Sequence, residues 1–441
     1  MIYSRSMQNN SRRRCLKNDL KLMRLALSLA HRGYGTTSPN PMVGAVLVKG
    51  GKIIGRGWHR RVGEPHAEIE ALRDAQKRGH SPRGATLYVT LEPCSTHGRT
   101  PPCTEAIIAA GIKRVVIGAT DPNPKHSGRA FKILQRAGVE VFGLRRHVGA
   151  LKSGDTSPHS KSGSRGRSSH QTLAEDCAQL NEPFNHWIVH RTPFVTVKAA
   201  MTLDGKIATA SGESEWITGK QARAHGMKLR QGADAILVGI NTILTDNPRL
   251  TARLVQSPKS TRFRYATARQ AVQSRRLRRI ILDSMARTPL KAKVVSDKNA
   301  ALTTIVVSKA APKRRVAALA KHVNVIVAPI QKAGRAVPSA PRRGAETAPY
   351  QIDLRWLLRK LGGENVTSLL VEGGGEVNAS FLLGGFAHRI AFFYAPKILG
   401  GRKARKAVAG EGVKSLADAL RLRDVEWKRI GPDLLLTARV D

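Results

Sequence analysis

The chain begins with a helical period. Leu16, Leu20, Met23, Leu27 and Ala30 recur at spacings of four and three, laying one apolar stripe along a helix that Gly33 ends. Two strand-like runs follow, 42–48 and 53–58, joined by Lys49-Gly50-Gly51-Lys52, the composition of a hairpin turn. Pro65 and Gly79 bracket a helix over 66–78. The pattern then predicts strands at 86–91, 114–119 and 139–142, alternating with helices at 103–110 and 129–136. Such alternation implies a three-layer α/β domain, with sites where strands end and helices begin.

From Gly149 to about His170 the residues are Ser, Gly, Lys and Arg with almost nothing apolar, as in a flexible linker or exposed insertion. Strand-like runs return at 194–199, 235–238, 279–282, 303–307, 323–328, 368–371 and 390–395, with helical patterns between several of them. They predict a second α/β domain. Segments near 256–275 and 331–348 read as inserted loops, and no internal repeat is present. The expected organisation is a basic tail over 1–16, a first domain over 17–148, a connection over 149–190 and a second domain over 191–441.

Charge changes the picture less than its size promises. Lys and Arg number 75 against 31 Asp and Glu, a net charge of +44, which attracts polyanions. The basic clusters, such as 161–167 and 275–279, lack the interleaved aromatics of a base-stacking surface. Binding to nucleic acid is therefore expected to be nonspecific and salt-sensitive. No run approaches eighteen apolar residues, so no membrane-spanning helix is expected. Four cysteines in 441 residues do not make a disulfide framework; in a reducing cytosol they point to metal or thiol chemistry. The first eighteen residues carry Arg, Ser and Asn and no acid, a composition shared by transit peptides, disordered tails and starts placed too early. Cytoplasmic residence is the expectation.

The sharpest chemistry is His66-Ala67-Glu68, followed by Pro93-Cys94 and, after eight residues, Cys103. An imidazole and two thiolates make a soft three-ligand site that leaves zinc a fourth position for water, whose pKa the metal lowers toward neutrality. Glu68 is then the general base and acid that carries a proton from water to the leaving amine. All three ligands fall at expected helix starts, where free N–H groups favour thiolates. The zinc-deaminase signature spaces its cysteines two residues apart, so the eight-residue gap is a departure. In the second half, Val371-Glu372-Gly373-Gly374-Gly375-Glu376 joins an apolar strand to a helix. That turn serves equally as a phosphate cradle or as a tight packing turn.

Gly63–Glu68, Thr90–Ser95 and His97–Cys103, with Pro39–Gly44 and Asp121–Pro124, resemble the bifunctional riboflavin-biosynthesis deaminase/reductase family. There the eight-residue cysteine gap is normal, and the resemblance covers most of the chain. It implies a cytidine-deaminase-like three-layer domain followed by a dihydrofolate-reductase-like α/β domain, with zinc and NADPH as cofactors. The implied chemistry is loss of the exocyclic amine of a diaminopyrimidinone ribotide, then reduction of its ribosyl group. By the same matching, Asn40 and the loop 95–102 line the deaminase pocket. In the reductase, Ser214, Arg230, Leu250, Arg253 and Glu372 meet substrate. Ala200, Trp216, Thr242, Asp246, Ser284 and the run Gly374, Gly375, Glu376, Val377, Asn378, Ala379 and Ser380 meet NADPH. Arg230 and Arg253 suit a phosphate that a guanidinium grips with two parallel bonds. Cys15 and Cys177 match no ligand position, and self-association is common in the family. The competing reading is a nucleic-acid base deaminase with a basic RNA-binding appendage, but it predicts a two-residue cysteine gap and no dinucleotide site.

Overall fold

The computed structural model describes residues 18–97, 101–144, 169–252, 277–329 and 352–441. The basic tail with Cys15, residues 149–168 of the expected connection, both expected inserted loops, Arg253 and part of the 95–102 loop lie outside the described residues. The chain divides into two compact units, Met1–His190 and Arg191–Asp441.

The first unit is built on strands β1 (Gly44–Lys49), β2 (Lys52–Trp58), β3 (Thr86–Leu91), β4 (Arg114–Ala119) and β5 (Glu140–Gly143), in the order β2-β1-β3-β4-β5. β1 runs antiparallel to both β2 and β3, while β3, β4 and β5 are parallel. Gly50 and Gly51 have φ of 55° and 75°, and Lys49 pairs with Lys52. The hairpin turn thus needs two left-handed residues in succession, which two glycines supply without steric cost.

Helices cover both faces of this sheet. On one, helix Ala67–Lys77 buries Ala67, Ala71 and Ala75 completely. It lies against the backbone of β2, where a Cβ on Gly55 or Gly57 would come within 2.2 Å of the Ala71 or Ala67 carbonyl oxygen. The helices Cys103–Ala109 and Arg129–Arg136 join that layer through Ile107, Phe131 and Leu134. On the opposite face, the helix over 18–30 packs Met23, Ala26 and Leu29 with Leu173, Ala174 and Cys177. The latter three belong to Ser169–Leu180, which with Glu182–His190 forms two helices at the end of the first unit. The polar composition upstream hid these helices within the expected connection.

The second unit contains β6 (Phe194–Thr202), β7 (Lys206–Ala208), β8 (Ala235–Gly239), β9 (Arg278–Leu282), β10 (Thr303–Ser308), β11 (Asn324–Ala328), β12 (Ser368–Val371), β13 (Arg389–Ala395), β14 (Arg405–Lys406), β15 (Leu422–Ile430) and β16 (Asp433–Val440). Among the described residues, nine of them form one sheet in the order β11-β10-β9-β8-β12-β6-β13-β16-β15. It is parallel from β11 to β13 and antiparallel at β16 and β15. The edge strand β15 escapes the hydrophobic pattern because it is exposed along almost its whole length and carries Arg423, Asp424, Glu426, Lys428 and Arg429.

Candidate active sites

In the first unit three chain segments deliver the metal-ligand set. His66 is the N-cap of helix Ala67–Lys77, its extended backbone (ψ 163°) following Pro65. Cys94 lies in the loop after β3 and not at the helix start expected for it, whereas Cys103 opens helix Cys103–Ala109 behind Pro102. Their ligand atoms all lie within 4.8 Å of one another. His66 Nδ1 stands 3.5 Å from Cys94 Sγ and 3.3 Å from Cys103 Sγ. A tetrahedral zinc bonded at ~2.3 Å to sulfur and ~2.0 Å to nitrogen requires S···N separations of roughly 3.5 Å. The donor set therefore fits the ion in kind and in spacing.

The electrostatics agree. Hydrogen bonds from the Cys103 side chain and from His66 pull the Cys94 thiol down to about 4, against burial that raises it; the Cys103 N–H also donates to Cys94 Sγ at 3.2 Å. Hydrogen bonding to Cys94, then burial, push the Cys103 thiol up. One sulfur is poised as thiolate while its neighbour keeps the proton, which a divalent cation displaces on binding. The His66 imidazole is raised, first by its hydrogen bond with Cys94.

Glu68 sits in the first turn of the same helix as Ala67, with only 3% of its surface exposed. Burial, then the neighbouring Cys94, push its carboxyl up to about 7. A carboxyl that gains and loses a proton near neutral pH is matched to general acid–base work. Asn40 Nδ2 stands 3.2 Å from His59 Nε2. His59 Nδ1 lies 3.1 Å from the Pro65 carbonyl, and its ring packs edge-on to His66 at 5.4 Å between centroids.

Two side chains here lay outside the sequence expectations. His59, 2% exposed, links Asn40 to the His66 segment, and nothing in its local pattern marks it. Glu92 lies inside the quoted Thr90–Ser95 motif, so a signal existed. Its carboxylate accepts from the backbone N–H groups of Asp121 (3.2 Å), Gly128 (3.0 Å) and Ala130 (3.1 Å). It ties the loop bearing Asp121–Pro124 and the start of helix Arg129–Arg136 to the Cys94 loop.

In the second unit the expected residues gather at the carboxyl ends of four adjacent parallel strands. β9 leads to Ser284, β8 to Thr242 and Asp246, β12 to Glu372 and the glycine turn, and Ala200 lies near the end of β6. This is where open parallel sheets hold ligands. The glycine turn packs tightly at two of its three positions and is open at the third. A Cβ on Gly373 would strike Val377 at 2.5 Å, and one on Gly375 would strike the Lys406 carbonyl at 2.3 Å, so these two are packing glycines. Gly374 faces open space, at the N-cap of helix Gly375–Leu382, whose first N–H groups have no intrahelical acceptor. That opening fits a phosphate of a dinucleotide.

The remaining expectations divide. Trp216 is 62% exposed, with the Arg223 guanidinium 4.3 Å from its ring centre, and Ser214 hydrogen-bonds Asp246. The Arg230 guanidinium grips Glu372 with two bonds of 2.8 Å, and Lys198 stands 3.6 Å from the same carboxylate. Leu250 is 3% exposed and packs among Ile236, Ile243 and Ile281. Asn378 is wholly buried, its amide donating to the Ala407 carbonyl at 2.8 Å, and Ala379 is 6% exposed. Ser380 bonds back to the Glu376 carbonyl at 2.8 Å. Leu250 and Asn378 are therefore packing residues, whereas Trp216 and Asp246 present exposed surface and Gly374 opens onto free space.

A His-Cys-Cys metal site beside a buried carboxyl, in a unit followed by an α/β sheet with a glycine turn at its strand ends, defines a zinc deaminase joined to a nucleotide-dependent reductase. Comparison with known proteins agrees with both halves. Residues 16–119 match the cytidine and deoxycytidylate deaminase zinc-binding region, and residues 193–436 match the RibD C-terminal domain. The chain is 39% identical to the riboflavin biosynthesis protein RibD of Aquifex aeolicus, over 95% of this chain and 97% of that one. It is 38% identical to the protein of the same name from Actinobacillus pleuropneumoniae, over 95% and 94%. Among solved structures, RibD of Acinetobacter baumannii superposes with a TM-score of 0.73 at 30% identity, covering 97% of this chain and 99% of that one. A deaminase/reductase from Thermotoga maritima gives a TM-score of 0.70 at 32% identity, covering 96% and 99%. The chain belongs to the RibD family of bifunctional riboflavin-biosynthesis enzymes. It is a deaminase and a reductase, with zinc and NADPH as cofactors.

Proposed function

We propose that His66, Cys94 and Cys103 hold the zinc and that Glu68 is the proton carrier in deamination of 2,5-diamino-6-(5-phosphoribosylamino)pyrimidin-4-one. Bound there, zinc supplies Lewis acidity that lowers the pKa of water toward neutrality. Glu68 accepts a proton from the attacking water and delivers it to the departing amine as ammonia leaves. Asn40, held by His59, orients the pyrimidine edge. The observation that carries this reading is the convergence of one imidazole and two sulfurs within 4.8 Å beside a carboxyl buried to 3% exposure.

The deaminated ribotide is then reduced from ribosyl to ribityl in the second unit. NADPH supplies the hydride; the chain supplies position. The opening at Gly374 and the helix start behind it receive a phosphate of the dinucleotide, and Trp216, Thr242, Asp246 and Ser284 flank it. Arg230, its carboxylate partner Glu372 and Arg253 hold the ribotide.

Glu68→Gln tests the central assignment. General acid–base groups contribute about 10²–10⁴-fold, so ammonia release falls by at least about 10²-fold, while zinc content and reduction of pre-deaminated ribotide persist. Deamination by the Gln variant at the unsubstituted rate removes Glu68 from the role.

Among the described residues no helix is long and apolar enough to cross a membrane; we place the enzyme in the cytoplasm, with nucleic acid bound at most nonspecifically. We also infer a homo-oligomer. The edge strand β15 exposes Val425 (49%) and Trp427 (58%) beside unpaired backbone groups, a surface that single chains usually cover. Sedimentation of a Trp427→Lys variant as a smaller species than the unsubstituted chain supports this; unchanged sedimentation at the monomer mass contradicts it.

A further inference from the structure

We propose that a basic cleft along the free edge of the first unit's sheet binds a small polyphosphorylated anion, at a place separate from the zinc site. The cleft encloses about 430 Å³, within the size range of small-molecule sites. It runs beside β2, the sheet's edge strand, between the end of the helix over 18–30 and the polar face of helix Ala67–Lys77. That face is set by spacing. Glu70, Arg73, Asp74 and Lys77 recur at intervals of three, one and three, on the side of the helix that flanks the buried alanines and borders β2.

Six cationic side chains line the cleft, namely Arg32, Arg56, Arg60, Arg73, Lys77 and Arg78, against two carboxylates, Glu70 and Asp74. The carboxylates are already engaged. Glu70 pairs with Arg60 at 3.2 Å and Arg73 at 3.6 Å; Asp74 pairs with Arg78 at 3.1 Å and accepts the Arg56 backbone N–H at 2.8 Å. Arg32, Arg56 and Lys77 have no carboxylate partner among the described residues. Trp58 forms an aromatic wall, with the guanidinium carbons of Arg32 and Arg60 at 4.9 and 4.5 Å from its ring centre. Stacking on the indole holds both guanidiniums in place; the N–H edge of Arg60 is shared with Glu70, whereas that of Arg32 has no carboxylate on it and is open to an anion.

The charge count selects the ligand class. Six cations against two carboxylates leave an excess of four positive charges around a volume of one small molecule. A single phosphate monoester carries at most two negative charges near neutral pH, whereas a diphosphate or triphosphate group matches the excess. Arginine forks grip such groups with paired charge-assisted bonds. Edge-strand charges that merely discourage sheet pairing account for Arg56 but not for Arg32 on one helix and Lys77 on another.

The test uses the full zinc-loaded chain saturated with NADPH, so that the dinucleotide site is filled. Sodium tripolyphosphate is titrated by calorimetry, with orthophosphate and a twenty-nucleotide single strand as comparators, into the unsubstituted chain and an Arg32→Ala/Arg56→Ala/Lys77→Ala variant. The expected result is saturable tripolyphosphate binding, tighter than orthophosphate and weakened at least about tenfold in the variant, with melting temperature and ammonia release unchanged. An Arg56→Glu single variant, altering one exposed side chain, shows the same direction. Tripolyphosphate affinity equal in all three proteins overturns the proposal. So does binding of the oligonucleotide alone, lost in the variant, which assigns the cleft to a chain-like polyanion.

Discussion

At the scale of single residues, burial raises two carboxyls of the deaminase unit, Glu68 and Glu92, and they differ in how many hydrogen-bond donors oppose it. Glu68 lacks enough donors to offset its desolvation, so its carboxyl rises to about 7. Glu92 is almost as buried, at 4% exposure, but spends both oxygens on three backbone N–H groups. Replacing Glu92 by Ala strands those donors, each costing roughly 1–3 kcal/mol when buried. The expected outcome is a lower melting temperature and a deaminase kcat reduced more than the reductase kcat, read by parallel assays of ammonia and NADPH absorbance. Equal loss of both activities would show that Glu92 only stabilises the chain. In the second unit, Lys198 and Arg230 hold the Glu372 carboxyl down to about 2 although burial opposes them. A depressed carboxylate contributes stability that is full above its unfolded value, near 4.5, and is lost as pH falls toward about 2. Glu372→Gln should therefore flatten the acid limb of the stability curve between those values; an unchanged limb in pH-dependent melting contradicts the pairing.

At the scale of elements, glycines and alanines decide where the catalytic helix lies. Gly55 and Gly57 let the backbone of β2 touch helix Ala67–Lys77, which carries Glu68 in its first turn and His66 at its cap. The glycine turn after β12 offers a sharper contrast. Gly375→Ala places a Cβ 2.3 Å from the Lys406 carbonyl, whereas Gly374→Ala meets nothing within 4 Å. Gly375→Ala should lower the melting temperature markedly. Gly374→Ala should leave it unchanged while raising the KM for NADPH, because its methyl group occupies the space left for a phosphate. An unaltered KM would put the dinucleotide elsewhere. Most elements of both sheets were legible from hydrophobic period and turn residues, and strands 86–91, 114–119 and 368–371 coincide with expectation to the residue. What escaped was what the pattern does not encode. β15 is an exposed edge strand, helices Ser169–Leu180 and Glu182–His190 follow a polar stretch, and His59 gains its meaning only when folding sets it against His66. The clustering of His66, Cys94 and Cys103 was legible because their residue types and order carry chemistry independent of the fold. The burial of Leu250 and Asn378 was not legible, since family matching gives position along the chain and only coordinates give burial.

At the scale of the whole molecule, two compact units carry two chemistries, and the metal belongs to one of them. Chelation should therefore stop ammonia release and leave reduction of the pre-deaminated ribotide intact, with activity restored by zinc; simultaneous loss of both activities would contradict the division. The central claim is that His66, Cys94 and Cys103 share one ion, and zinc K-edge absorption of the purified chain tests it most directly. The account predicts one zinc per chain with two sulfur neighbours at ~2.3 Å and lighter neighbours at ~2.0–2.1 Å, one sulfur disappearing in Cys94→Ser. A first coordination shell of nitrogen and oxygen alone would contradict it.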